Sequence, residues 1–125
     1  MNNNETLQNE GNKMNYTEIN SGLRRHKLVT KEIEKNLPEL YSQENVSDPK
    51  VAVKFFSPYS NWTWYAYEGS RTEDGDIRFF GLVDGFEKEL GYFMLSELDE
   101  ATVYCRVPAV ERDCYFGDHK ISEFK

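Results

Sequence analysis

Cys105, Cys114 and His119 are the side chains whose types could support metal or nucleophilic chemistry. Their spacing, C-x8-C-x4-H, matches none of the Cys/His spacings of structural zinc sites, so two packed, reduced thiols are the plainer reading. A Cys114–His119 pair could in principle generate a thiolate, but five residues apart near a fraying end it reads as coincidence. A Gly-rich phosphate loop, H-E-x-x-H and G-x-S-x-G are all absent from the sequence. Glu73-Asp74-Gly75-Asp76 has the flavour of a calcium loop without its ligand spacing or its distant Glu. No catalytic residue, no metal and no cofactor is therefore expected, and the protein reads as something other than an enzyme.

Binding chemistry is better represented. Seven of the thirteen residues from Phe55 to Tyr67 are aromatic: Phe55, Phe56, Tyr59, Trp62, Trp64, Tyr65 and Tyr67. A small domain can bury one face of such a strand pair but seldom both, so a face carrying Thr63, Tyr65 and Tyr67 is expected to be open or covered by a partner. Tyr59, Trp62, Trp64, Tyr65 and Tyr67 are the candidate aromatic binding residues; such rings could stack on bases, a sugar or a peptide. Residues 71–100 hold nine acids against three bases. From these and the adjoining strand, Glu68, Glu73, Asp74, Asp76, Asp84, Glu87 and Glu89 are the candidate acidic surface. Solvated hairpin tips and a charged sheet edge that resists aggregation explain much of this acidity. It would also suit a basic partner, met quickly and in a salt-sensitive way.

The elements that must position these side chains follow from local patterns. Val29, Ile33, Leu37 and Leu40 mark one face of a short helix, with Thr30 as N-cap and Pro38 ending it near Asn36. Val51, Val53 and Phe55 alternate with Ala52, Lys54 and Phe56 in a first strand, and Trp62–Glu68 forms a second after the turn at 57–61. Asp74-Gly75 between β-rich runs predicts a hairpin into a third strand, Ile77–Val83. A fourth strand, Gly91–Leu95, follows with a bulge at Leu90-Gly91; Ser96 then caps a helix through Ala101, with Asp99 completing a capping box. Val103–Val107 and Cys114–Phe116 are short candidate strands. The expected fold class is α+β: a short N-terminal helix, an antiparallel β-meander of about four to six strands and a second short helix.

The chain has 125 residues and a net charge of -7 from 15 Lys+Arg and 22 Asp+Glu. Its length suits one domain, and its acidity argues against a protein that coats nucleic acid by counterion release. Residues 1–20 carry seven Asn and few apolar side chains, and Arg24-Arg25-His26-Lys27 follows as a basic block. We divide the chain into a disordered Asn-rich tail with a solvated basic junction, 1–27, and a single α+β domain, 28–125. Residues 31–125 alone carry a net charge of -8. The polar start, Met1–Glu10, has no apolar core of a signal peptide, and no run approaches a membrane span. A cytoplasmic place without a membrane partner is expected, and the N-x-S/T tripeptides at Asn15, Asn45 and Asn61 then carry no meaning.

Longer blocks carry a resemblance. Leu28-Val29-Thr30-Lys31-Glu32-Ile33, Leu37-Pro38-Glu39-Leu40-Tyr41-Ser42-Gln43-Glu44 and Val53-Lys54-Phe55-Phe56-Ser57-Pro58 occur in turn. Asn61-Trp62-Thr63-Trp64-Tyr65 with Glu68-Gly69-Ser70, Phe79-Phe80-Gly81-Leu82-Val83 and Glu89-Leu90-Gly91-Tyr92-Phe93 follow. Ser96-Glu97-Leu98, Glu111-Arg112-Asp113 and Tyr115-Phe116-Gly117 complete the set. Over about residues 28–123 this pattern resembles the Domain of Unknown Function 2958 family. The Asn-rich extension and a tail without the family's usual Pro-rich step after Phe116 depart from it. The resemblance implies a small bacterial protein of the kind carried on plasmids, integrative elements and phages, beside antirestriction-type genes. It implies no activity and no catalytic residue.

Together these readings lead us to expect a non-catalytic interaction protein of a bacterial mobile element. Its role would be anti-defence, inhibiting a basic, DNA-acting host protein such as a nuclease. The alternative is a nucleic-acid-binding module stacking bases on Trp62, Trp64, Tyr65 or Tyr67. An uncovered sheet edge could also support a homodimer.

Overall fold

The computed structural model describes residues 15–125; the expected disorder of residues 1–14 lies outside them. In chain order the elements are α1 (Ser21–Arg24), α2 (Lys31–Asn36), β1 (Val53–Phe56), β2 (Thr63–Arg71), β3 (Ile77–Asp84) and β4 (Lys88–Met94). α3 (Leu95–Glu100), β5 (Thr102–Val103), β6 (Val107–Pro108), β7 (Glu111–Arg112) and a closing 3-10 turn, Ile121–Glu123, follow. The main sheet is an antiparallel meander with β7 added outside β1, in the order β4-β3-β2-β1-β7; β5 and β6 form a separate hairpin. The fold is α+β.

Local chemistry accounts for several elements. The Thr30 hydroxyl accepts from the Ile33 amide at 3.1 Å and so caps α2. α2 ends at Asn36 before Pro38, which leaves Leu40 in the loop beyond it rather than on the helix. The β2–β3 turn closes through Thr72 N–H to Asp76 O at 2.9 Å, with Gly75 at φ 86, where a side chain would be strained.

Other expectations are corrected. The bulge lies in β2 between Ala66 and Glu68, and the β3–β4 ladder runs unbroken through Leu90 and Gly91. α3 starts at Leu95, and its capping carboxylate is Glu97, which accepts from the Met94 amide at 2.9 Å. Val103–Val107 is a hairpin rather than one strand, because Tyr104 and Cys105 turn back at φ 51 and 74. Cys114–Phe116 is not a strand; Glu111–Arg112 pairs with β1 instead.

Both faces of the sheet are covered. On one, Val53, Phe55, Ala66, Phe79 and Phe93 pack against Leu28, Val29, Leu37, Leu95, Leu98 and Val110. Phe79 stacks on Phe93 with centroids 5.3 Å apart and meets Phe55 edge-on at 5.4 Å. On the other, Tyr65, Tyr67 and Leu82 meet Val51 and Ile121, with Phe80, Phe116 and Phe124 at the margin.

Tyr16, Glu18 and Arg24 are built into the first face, so residues 15–24 are no loose tail, while Arg25 and Lys27 of the basic block stay exposed. Arg24 is 8 % exposed, donating to Val110 O at 2.8 Å, to Asp99 at 2.9 Å and to Glu18 at 3.1 Å. Asp99, fully buried, also accepts from the Tyr16 hydroxyl and the Ile19 amide, each at 2.6 Å. Glu18 accepts from the Leu28 and Val29 amides at 2.7 and 3.0 Å. A buried guanidinium needs compensating acceptors, and Glu18, Asp99 and the Val110 carbonyl supply them. Asp99 is thus an internal anion rather than a helix cap. His26 accepts from the Arg112 amide at 3.2 Å; burial, then the Arg112 and Arg24 charges, hold its pKa low.

Candidate functional site

Exposed apolar side chains are scattered, with Ile19, Leu23 and Tyr115 open on their own, but several aromatic rings gather at one end of the main sheet. Thr63 pairs with Asp84 and Trp64 with Val83, so the start of β2, the end of β3 and the turn into β4 stand side by side. Trp62 enters from the 57–61 turn and lies 5.9 Å from Trp64, centroid to centroid. Phe86, at the tip of the β3–β4 turn, meets Trp62 edge-on at 5.5 Å and is 95 % exposed. Gly85 makes that contact possible, since a Cβ there would lie 2.6 Å from the indole. Tyr59 and Tyr104 form a second exposed edge-to-face pair at 5.9 Å, joining the 57–61 turn to the β5–β6 hairpin.

Trp62, Val83, Phe86, Leu90 and Gly91 line a depression of about 360 Å³, with Glu87 and Glu89 on its rim. Asp84 is half-buried beside it, opposite Lys88 across the ladder. Aromatic faces with carboxylates at the edge attract a guanidinium or ammonium group, by the ring quadrupole and by charge.

The candidate residues thus divide. Tyr59, Trp62 and Trp64 stay together at the open end, Trp64 half-buried against the first core. Tyr65 and Tyr67 do not join them. Each is 8 % exposed, and Tyr65 stacks on Phe124 at 4.2 Å, so the expected open face of Thr63, Tyr65 and Tyr67 is corrected. Burial raises both phenol pKa values, with the Asp84 charge adding for Tyr65 and the Glu68 charge for Tyr67. The covering residues lie some fifty positions further along the chain, beyond the reach of any local pattern.

The acids divide as well. Glu73, Glu87 and Glu89 are exposed. Asp74 is exposed at its turn and accepts from the Thr72 hydroxyl. Glu68 is corrected from surface to interior: it is 3 % exposed and accepts from the Tyr41 and Gln43 amides at 2.9 and 2.8 Å. Asp76 is corrected from a binding to a structural acid, accepting from the Ile77 and Ser96 amides and the Ser96 hydroxyl. Phe86, Leu90 and Tyr104 were not singled out from sequence. The signal for Phe86 is its place inside an acidic turn, where the strands it joins cannot bury a ring.

Cys105 and Cys114 are free but exposed, which corrects their reading as packed thiols. His119 bonds to Glu123 at 2.8 Å, which raises the imidazole pKa, and its ring lies 4.4 Å from that of Phe116. Among the described residues no group of three or more Cys, His, Asp or Glu is gathered to hold a metal ion. No helix among them is long and apolar enough to cross a membrane.

A family model described as Protein of unknown function (DUF2958) matches residues 25–125. No curated protein and no solved structure matches the chain.

Proposed function

The chain belongs to the DUF2958 family, and from that premise we propose that it is a non-catalytic interaction protein binding a basic partner through the Trp62–Phe86 end of its sheet. One observation carries this reading. Phe86 stands 95 % exposed and edge-on to Trp62, with Glu87 and Glu89 on the rim of the same depression. An apolar ring held at a turn tip gives the fold little, whereas aromatic anchors ringed by charge typify the centre of a protein interface. Residues 31–125, net -8, would draw a basic surface toward it.

The partner class we favour is a DNA-acting bacterial protein such as a nuclease, whose phosphate-binding groove supplies that basic surface. The mobile-element habit implied by the resemblance extends this to an anti-defence role in the cytoplasm. Direct nucleic-acid binding has less in its favour, because Tyr65 and Tyr67 are buried and the carboxylates at the open end repel phosphate.

The test is capture from bacterial lysate at low and at high salt, with wild-type protein and a Trp62→Ala/Phe86→Ala variant. A basic DNA-acting protein retained only by the wild type, and only at low salt, supports the reading. Retention indifferent to the substitutions and to salt overturns it. In a second arm, quenching of tryptophan fluorescence by single-stranded oligonucleotides would favour the alternative.

A further inference from the structure

A second hollow, of about 280 Å³, lies between the loop after α2, strands β2–β4 and the closing 3-10 turn. Tyr41, Tyr67, Glu68, Phe80, Tyr92 and Lys125 are among the residues that line it. It belongs to the Phe80–Tyr92 side of the sheet, four residues along β3 from Asp84 and hence about 13 Å from the Trp62–Phe86 end.

We propose that this hollow binds a small organic cation, an ammonium or guanidinium head group. Glu68 is the reason. The residue is 3 % exposed, yet among the described residues its carboxylate forms no ion pair; two backbone amides are its hydrogen-bond donors. Among the described residues each carboxylate oxygen has one donor and a lone pair to spare, and a buried anion without a counter-charge is unfavourable until a cation arrives. Tyr67 adds a second polar group, a neutral one. It is 8 % exposed, and its hydroxyl makes no hydrogen bond among the described residues.

The walls suit the same guest. Phe80 stands edge-on to Tyr67 at 5.7 Å and tilted to Tyr92 at 4.9 Å, so the hollow is bounded by aromatic rings. Tyr92 already receives one cation, since the Arg78 guanidinium lies 5.5 Å from its centre. Tyr41 sits in the left-handed region at φ 72, unfavourable for a residue with a Cβ. Its amide bond to Glu68 and the Tyr92 hydroxyl, donating to its own at 3.2 Å, hold it there. A volume just under the usual range for small-molecule sites suits a head group better than a nucleotide. Lys125 is a like charge on the lining and should weaken the guest's binding.

The experiment is a titration of the full chain with choline, followed by two-dimensional amide NMR and compared with 3,3-dimethyl-1-butanol, choline's neutral isostere. Saturable shifts of the Tyr41 and Gln43 amides with choline, and none with the alcohol, are expected. Phe80→Leu, with an unchanged far-UV spectrum, should weaken binding about tenfold, and Lys125→Ala should strengthen it. N-acetyl-arginine amide and agmatine, run in parallel, distinguish a protein side chain from a free amine as the source of the head group. The idea fails if no cation saturates these amides, if the alcohol binds equally well, or if adenosine monophosphate binds in preference. Trp62→Ala/Phe86→Ala should leave the choline-induced shifts of the Tyr41 and Gln43 amides unchanged, so this site and the proposed partner surface stand or fall separately.

Discussion

The turns at the two ends of β3 have similar acidic sequences and opposite uses. In the 72–76 turn, Asp76 ties Ile77 to Ser96 at the start of α3. Arg71 beside it grips Glu34 of α2 at 2.7 and 2.8 Å and the Gly75 carbonyl at 2.6 Å. That carbonyl also accepts the Tyr16 amide at 2.8 Å. Around the 85–87 turn, Asp84, Glu87 and Glu89 make no side-chain hydrogen bond or ion pair among the described residues, and Phe86 points to solvent. An acid turned inward is a hydrogen-bond acceptor that fixes neighbouring elements, whereas an acid turned outward is charge available to another molecule.

The contrast is most strongly tested at its inward extreme. Arg24→Ala leaves Asp99 and Glu18 buried without their counter-charge and should cost about 3–5 kcal/mol, read by denaturant unfolding. Acidification should cost less. Burial raises the Asp99 pKa, but hydrogen bonds from Tyr16, Ile19, Arg24 and Asn20 outweigh it and hold the group low; Glu34 is held low by its hydrogen bond to Arg71. Carboxyls depressed in the folded state stabilise it above their unfolded values, about 4, and that share is lost as pH falls through the lower folded values. Unfolding curves between pH 5 and 2 should therefore show a slope that Glu34→Gln reduces. Asp76→Ala removes the tie to Ser96 and should lower stability by about 1–2 kcal/mol in thermal melts. The smallest effect belongs to Glu87→Gln/Glu89→Gln, within about 0.5 kcal/mol of wild type. That pair should nonetheless reduce the salt sensitivity of partner capture. If it destabilised the fold as much as Asp76→Ala, the division between inward and outward acids would collapse.

Legibility in the sequence followed the distance over which each feature is determined. Thr30 with its helix, the alternation in β1 and the Asp74-Gly75 hairpin depend on neighbours within a few positions, and all three were readable. Asp99 misled because Ser96 three residues before it fits a capping box, while its partner Arg24 lies 75 positions away. Tyr65 and Tyr67 misled for the same reason, their cover being Ile121, Phe116 and Phe124. Of the candidate site, Tyr59, Trp62, Trp64, Glu87 and Glu89 were readable from composition and turn position. Phe86 escaped because periodicity assigns no face to a residue between two strands.

The covered tyrosine face also sets an order of events. Residues 116–124 leave the ribosome after the entire meander, so the sheet can pair while Tyr65 and Tyr67 still face water. Phenylalanine at both positions would give the nascent chain a sticky, edge-accessible surface during that wait. Tyrosine keeps a hydrated hydroxyl until Ile121 and Phe124 arrive, then surrenders it. For Tyr65, whose ring ends stacked on Phe124, the hydroxyl belongs to a surface that stays soluble until it is closed.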